Sequence, residues 1–143
     1  MDGYGKRVLV VDDDHHARFF MGSLLTGQGY NVVPACNGVT ALNELSKRHF
    51  DVVITDDRMP QLNGVDFLKQ VRVRHPGLPV ILASTDAYAL AQDCHPFASI
   101  RKPYDQTGLL TVVRLAAHAI VETDSPSPRC RTNEADFWAS WAQ

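Results

Sequence analysis

Val8-Leu9-Val10-Val11-Asp12-Asp13-Asp14 and Val52-Val53-Ile54-Thr55-Asp56-Asp57 share one design, an apolar and mostly β-branched run that ends in carboxylates. The apolar positions are consecutive rather than alternating, which predicts strands covered on both faces, as in parallel sheets. If the two strands are parallel neighbours, their carboxyl ends fall at the same sheet edge, where open α/β folds bind ligands. Three or more carboxylates gathered there repel each other by roughly 4 kcal/mol per pair at an effective dielectric near 20. They call for a hard cation. Magnesium, which prefers carboxylate, carbonyl and water oxygens, suits the set better than zinc, for which no Cys or His cluster is present. His15-His16 is the nearby exception. Adjacent residues on a helix face different directions, so these two read as solvated.

Working outward, Ala17, Met21, Leu24 and Leu25 recur at near-helical spacing, with an aspartate near the start and Gly27 and Gly29 as the stop. Tyr30 to Ala35 restarts as a strand. Asn37 can cap a second helix with an apolar stripe of Ala41, Leu42 and Leu45, and Lys47 and Arg48 suit its carboxyl end. The second acidic strand runs from Asp51 to Asp56. Met59-Pro60 and Asn63-Gly64 punctuate a loop before a third helix carrying Val65, Phe67, Leu68 and Val71. Val80-Ile81-Leu82-Ala83 forms the next strand and ends in Ser84-Thr85, and the poorly patterned Asp86 to Cys94 is expected to be helical. Phe97 to Arg101 stands where a fifth strand would fall, before Lys102-Pro103 and a helix with Leu109, Leu110, Val113, Leu115 and Ile120. Strands alternating with helices imply right-handed crossovers and a parallel sheet covered on both sides, an α/β fold.

The chain has 143 residues, 45% hydrophobic and 21% charged, with a formal net charge of -2, a size and composition suited to one globular domain. No basic surplus advertises nucleic acid. Cys36, Cys94 and Cys130 are odd in number and lack a C-x-x-C spacing, so a reduced, cytoplasmic setting is expected. No run approaches a membrane span and the amino terminus lacks a signal-peptide pattern, so no membrane association is expected. Asp124-Ser125-Pro126-Ser127-Pro128 cannot continue a helix and resembles a linker, which places a domain over residues 1–122 and a linker with a short aromatic tail over 123–143. Phe137, Trp138 and Trp141 either fold back onto the domain or form a docking peptide for a partner.

A carboxylate that accepts a phosphoryl group beside a metal is a known form of covalent catalysis. Lys102 can neutralise the arriving charge and Ser84 can donate to a phosphoryl oxygen. From about Arg7 to Val121 the chain resembles a response-regulator receiver domain, through Val10-Val11-Asp12-Asp13, Asp56-x-Arg58-Met59-Pro60, Asn63-Gly64, Ser84 and Lys102-Pro103. The resemblance implies a flavodoxin-like, doubly wound five-stranded sheet in the order 2-1-3-4-5. It implies phosphorylation on Asp56, magnesium bound through Asp13 and Asp56, with Asp12 acting mainly through water and Arg58 through its backbone carbonyl. Ser84 would read the phosphoryl group, and the Lys102-Pro103 peptide bond would be cis. Asp14 and Asp57 carry over no role and read as bystanders.

Two departures bear on output. The family's aromatic switch residue, three before the lysine, is Ser99 here, and a small side chain cannot report by rotamer. Phe97 or Tyr104 could substitute, although the simpler reading of Phe97 is core filling. The stretch from Ser84 to Lys102 is also shorter than usual by roughly four residues, about one helical turn. Receivers commonly signal through the face made by the fourth helix, fifth strand and fifth helix, so a different output surface is expected. Arg58 and Asp86, each two residues past a pocket residue, could pair across the entrance and slow the attack of water.

Three classes follow. The first is a phosphoacceptor module of a two-component phosphorelay, served by a histidine kinase or histidine phosphotransfer protein, which signals to a downstream protein target by contact. It would be no enzyme beyond its own phosphorylation and dephosphorylation. A homodimer is left open, and direct nucleic-acid binding is not expected because no output domain is visible. The second is a receiver-like scaffold that works without phosphorylation, for which Ser99 and the short stretch after Ser84 speak. The third is a haloacid-dehalogenase-type phosphatase, because Asp12-Asp13-Asp14 also satisfies a strand-end D-x-D. It lacks an acidic pair after Lys102, where only Asp105 stands, and it leaves Asp56 without a role.

Overall fold

β1 (Arg7–Val11) is an inner strand, next to the edge, of a parallel sheet whose other strands are β2 (Asn31–Ala35), β3 (Val52–Asp56), β4 (Val80–Ser84) and β5 (Ala98–Arg101), in the order β2-β1-β3-β4-β5. The computed structural model describes residues 5–57, 59, 61–84 and 96–119. The expected helix over Asp86 to Cys94, Ile120, and the tail with Phe137, Trp138 and Trp141 lie outside the described residues.

Among the described residues four helices cover the two faces: α1 (His15–Gly27), α2 (Gly38–Lys47), α3 (Gly64–Arg74) and α4 (Gln106–Ala117). Consecutive residues of β1 go to opposite faces. Val8 and Val10 join Met21 and Leu25 of α1 and Leu109 and Val113 of α4. Leu9 and Val11 join Ala41 and Leu45 of α2 and Phe67, Leu68 and Val71 of α3. This is why the strand reads as unbroken apolar sequence: each face has its own core. Pro34 sits on the edge strand β2 and is exposed, the position where a missing ladder donor is tolerated.

Each of these helices begins on an Asp or Asn. Asp14, Asn37, Asn63 and Asp105 accept hydrogen bonds from the backbone N–H groups of His16, Thr40, Asp66 and Gly108. Each cap satisfies a donor that the helix itself cannot, an effect worth about 1 kcal/mol. Gly29, at φ +92° in the left-handed region, turns the chain from α1 into β2.

Two expectations about side chains need correction. Leu115, counted with the apolar face of the last helix, is 57% exposed, because that face is carried by Leu109, Val113, Ala116 and Ala117. Phe97, expected to fill core, is 39% exposed and precedes β5 instead of belonging to it.

Candidate acidic pocket at the carboxyl edge of the sheet

Strand register builds this pocket. β1 pairs with β3 through Val11 and Thr55, so the next residues, Asp12 and Asp56, emerge side by side. β3 pairs with β4 through Asp56 and Ala83, which brings Asp57 beside Ser84. β4 pairs with β5 through Ser84 and Arg101, and the Lys102 N–H continues that ladder to the Ser84 carbonyl at 2.8 Å. Four strand ends thus deliver their polar residues to one edge of the sheet.

Asp12 is buried and Asp13 exposed, and ligand oxygens of Asp12, Asp13 and Asp56 all lie within 4.8 Å of one another. Asp12 is held from two sides. Its Oδ1 accepts from the Asp14 N–H at 2.9 Å, and its carbonyl accepts from Arg18 Nη1 at 2.7 Å. Asp56 Oδ1 accepts from the Asp57 N–H and from Lys102 Nζ, both at 2.9 Å. The same ammonium stands 3.7 Å from Asp12 Oδ2. The Lys102-Pro103 peptide is cis, as expected.

Burial raises the Asp12 carboxyl above its ordinary value, against the Asp14 N–H and the Lys102 charge, which lower it. Asp56 is raised for the same leading reason, opposed by its hydrogen bond from Lys102. For Lys102, burial pulls downward, but the hydrogen bond and charge of Asp56 and the charge of Asp12 outweigh it and hold the ammonium above the ordinary lysine value. One ammonium facing three carboxylates leaves negative charge in excess. An all-oxygen set with that excess fits a hard divalent cation and offers nothing to a thiophilic one.

α3 is pressed against the end of β3. The Gly64 N–H donates to the Asp57 carbonyl at 2.9 Å, and a Cβ on Gly64 would collide with the Asp56 carbonyl oxygen. Here glycine is required for close approach and not for an unusual φ.

Of the expected residues, Asp12, Asp13, Asp56, Ser84 and Lys102 meet in this pocket. Arg58, expected to lend a carbonyl, and Asp86, its expected partner, lie outside the described residues. Asp14 is exposed and caps α1, its Oδ1 accepting from the His16 N–H at 3.0 Å. Asp57 is no bystander: its Oδ2 accepts from the Ser84 hydroxyl at 2.7 Å. No signal in the sequence announces this pair, because it depends on the one-residue offset between β3 and β4 that sets Asp56 level with Ala83. Ser99 Oγ is buried without a hydrogen-bond partner among the described residues.

The family model of the response regulator receiver domain matches residues 8–114. The chain belongs to the receiver-domain family. It is 34% identical to the transcriptional regulatory protein ZraR of Klebsiella oxytoca over 142 residues, 96% of this chain and 31% of ZraR. It is also 34% identical to the DNA-binding transcriptional regulator NtrC of Escherichia coli K12 over 123 residues, 83% of this chain and 26% of NtrC. The receiver domain therefore spans about a quarter to a third of these relatives' length. Among solved structures, chemotaxis protein CheY4 of Vibrio cholerae superposes with a TM-score of 0.73 at 28% identity, over 78% of this chain and 98% of CheY4. Response regulator TrrA of Thermotoga maritima, solved in complex with Mg2+ and BeF, gives 0.71 at 25% identity, over 78% of this chain and 98% of TrrA. The fold of the receiver domain and its place in two-component signalling follow. No helix among the described residues is long and apolar enough to cross a membrane.

Proposed function

We propose that this receiver domain accepts a phosphoryl group on Asp56 from the phosphohistidine of a histidine kinase or histidine phosphotransfer protein. Asp12, Asp13 and Asp56 would hold Mg2+, with the Arg58 carbonyl as a further ligand. The observation that carries the reading is Lys102 Nζ at 2.9 Å from Asp56 Oδ1, inside a ring of carboxylates that needs more positive charge than lysine supplies. Magnesium, when bound, would draw in the phosphoryl oxygens and offset their charge.

The chain's own residues do the rest. Asp56 is the carboxylate that Lys102 contacts most closely, through Oδ1 at 2.9 Å, and its other oxygen, Oδ2, would attack phosphorus. The P–N bond to the donor histidine breaks as the Asp56 O–P bond forms. Lys102 bridges Asp56 and Asp12 and so stays in place to neutralise the group that arrives. The Ser84 hydroxyl, at the adjacent strand end, supplies a donor to a phosphoryl oxygen. The chain would catalyse only its own phosphorylation and dephosphorylation, act in the cytoplasm, and pass its state to a protein target by contact, as a monomer or a homodimer. The solved TrrA complex with Mg2+ and BeF supports the choice of ion and of phosphoryl mimic.

Incubation with acetyl phosphate and magnesium, followed by intact mass, tests the reading. One added phosphoryl group, lost in Asp56→Asn, is expected. Uptake that persists in Asp56→Asn, or no uptake in the parent, overturns it, and the latter leaves the phosphorylation-independent scaffold.

A further inference from the structure

Ser84 is fully buried, and a serine hydroxyl has a single proton to donate. That proton is already committed, to Asp57 Oδ2 at 2.7 Å, a charge-assisted bond of the stronger kind. A phosphoryl group on Asp56 would need the same proton. In this structure the donor is on Asp57, and a phosphoryl group on Asp56 would compete for it. Asp57 is differently placed. It is only partly buried, so its carboxylate, once released, can be solvated.

The backbone beneath it is fixed. The Asp57 N–H donates to Asp56 Oδ1 and the Asp57 carbonyl accepts from the Gly64 N–H, both at 2.9 Å. The exchange can therefore be made by the side chain alone. We propose that Asp57 is a positioning residue that gates the pocket: it holds the Ser84 hydroxyl in the unphosphorylated state and must surrender it when Asp56 is loaded. This rests on Asp56 as phosphoacceptor. It assigns a state-dependent contact to a residue next to the acceptor and gives the chain a two-position element although Ser99 stands where an aromatic switch was expected. Loading would turn the Asp57 carboxylate outward and place a new negative charge at the pocket mouth.

The test is a beryllofluoride titration of the full chain at saturating magnesium, read by 19F NMR of the bound fluorides. Asp57→Ala removes both the charge and the acceptor, whereas Asp57→Asn removes the charge and keeps an acceptor oxygen. Asp57→Ala is expected to bind beryllofluoride at least about tenfold more tightly than the parent, the scale of one hydrogen bond to a charged group. Asp57→Asn should gain less. In a Ser84→Ala background the Asp57→Ala gain should shrink to within about twofold, because no hydroxyl remains to be contested. An equal gain in both backgrounds would mean that Asp57 acts through charge alone, and no gain in the parent background would mean no gate; either overturns the proposal. Failure of every variant, parent included, to take up beryllofluoride while magnesium still binds would instead bring down the phosphoacceptor reading itself, and the gate with it. If Asp57→Ala does not fold, Asp57→Asn compared across the two backgrounds decides the same question.

Discussion

Replacing Gly64 with alanine should be costly for a reason that can be worked out atom by atom. An ideal Cβ there would stand 2.7 Å from Asp57 Cα and 3.1 Å from the Asp56 carbonyl carbon, and would overlap the Asp56 carbonyl oxygen. These are backbone atoms, so no side-chain rotation relieves the overlap. Ordinary carbon contacts begin near about 3.5 Å, so the end of β3 and the start of α3 must separate by roughly an ångström. Such overpacking costs about 1–3 kcal/mol. The helix-propensity gain of alanine, about 0.5–1 kcal/mol, belongs to helix interiors and Gly64 is the first residue of α3, so most of that cost of about 1–3 kcal/mol remains. The melting temperature should fall by roughly 5 °C. Gly22 is the control. Its Cβ would meet only Val32 Cγ1, at 3.6 Å, an ordinary contact, so Gly22→Ala should be neutral or stabilising. Urea denaturation compares the two variants directly. Because separation moves Asp56 relative to Lys102, Gly64→Ala should also weaken beryllofluoride uptake while Gly22→Ala leaves it unchanged. A Gly64→Ala protein as stable as Gly22→Ala would refute the close approach and the reasoning built on it.

Magnesium should raise the melting temperature of the parent with a concentration dependence set by its affinity, about 2.7 kcal/mol at a hundred times the dissociation constant; an equal rise in Asp13→Asn would remove Asp13 from the ion. Asp14→Ala should cost about 1 kcal/mol of stability by uncapping α1 and leave acetyl-phosphate labelling intact, and loss of labelling in a folded variant would give Asp14 a chemical role. His75 is pulled below its ordinary 6.5, first by burial and then by the charge of Arg74. The unfolded chain therefore takes up this proton more readily, so stability is complete above pH 6.5 and declines as pH falls from there through the folded value. Urea midpoints across that range should slope less in His75→Gln, and an unchanged slope would assign the dependence to other groups.

Much of the fold was legible because its physics is local or periodic. The unbroken apolar run of β1 already stated that both faces are covered, and the Asp and Asn caps stood one residue before each helix. The carboxylates were legible because a parallel sheet brings its strand ends to one edge, and like charges collected there must be offset by a cation. Lys102-Pro103 fitted the same edge. What could not be read depended on through-space facts. Leu115 has the composition of a core residue, but only the position of the sheet decides which face of α4 is buried. Phe97 was judged by size, yet β5 begins one residue later and leaves it half in solvent. Asp57 was set aside as the second of two strand-end acids. Its partner Ser84 comes from the next strand, and the pair exists only because Asp56 lies level with Ala83.

The register between β1 and β3 carries a practical consequence. Val11 lies level with Thr55, and the same alignment that sends Val8 and Val10 to one core and Leu9 and Val11 to the other sets Asp12 beside Asp56. A slip of one residue would turn every β1 side chain to the wrong face and also take the two acids apart. Correct assembly and assembly of the acidic pocket are thus one event, so if Asp56 is the phosphoacceptor, the fraction of chain that binds beryllofluoride should match the fraction that is correctly folded.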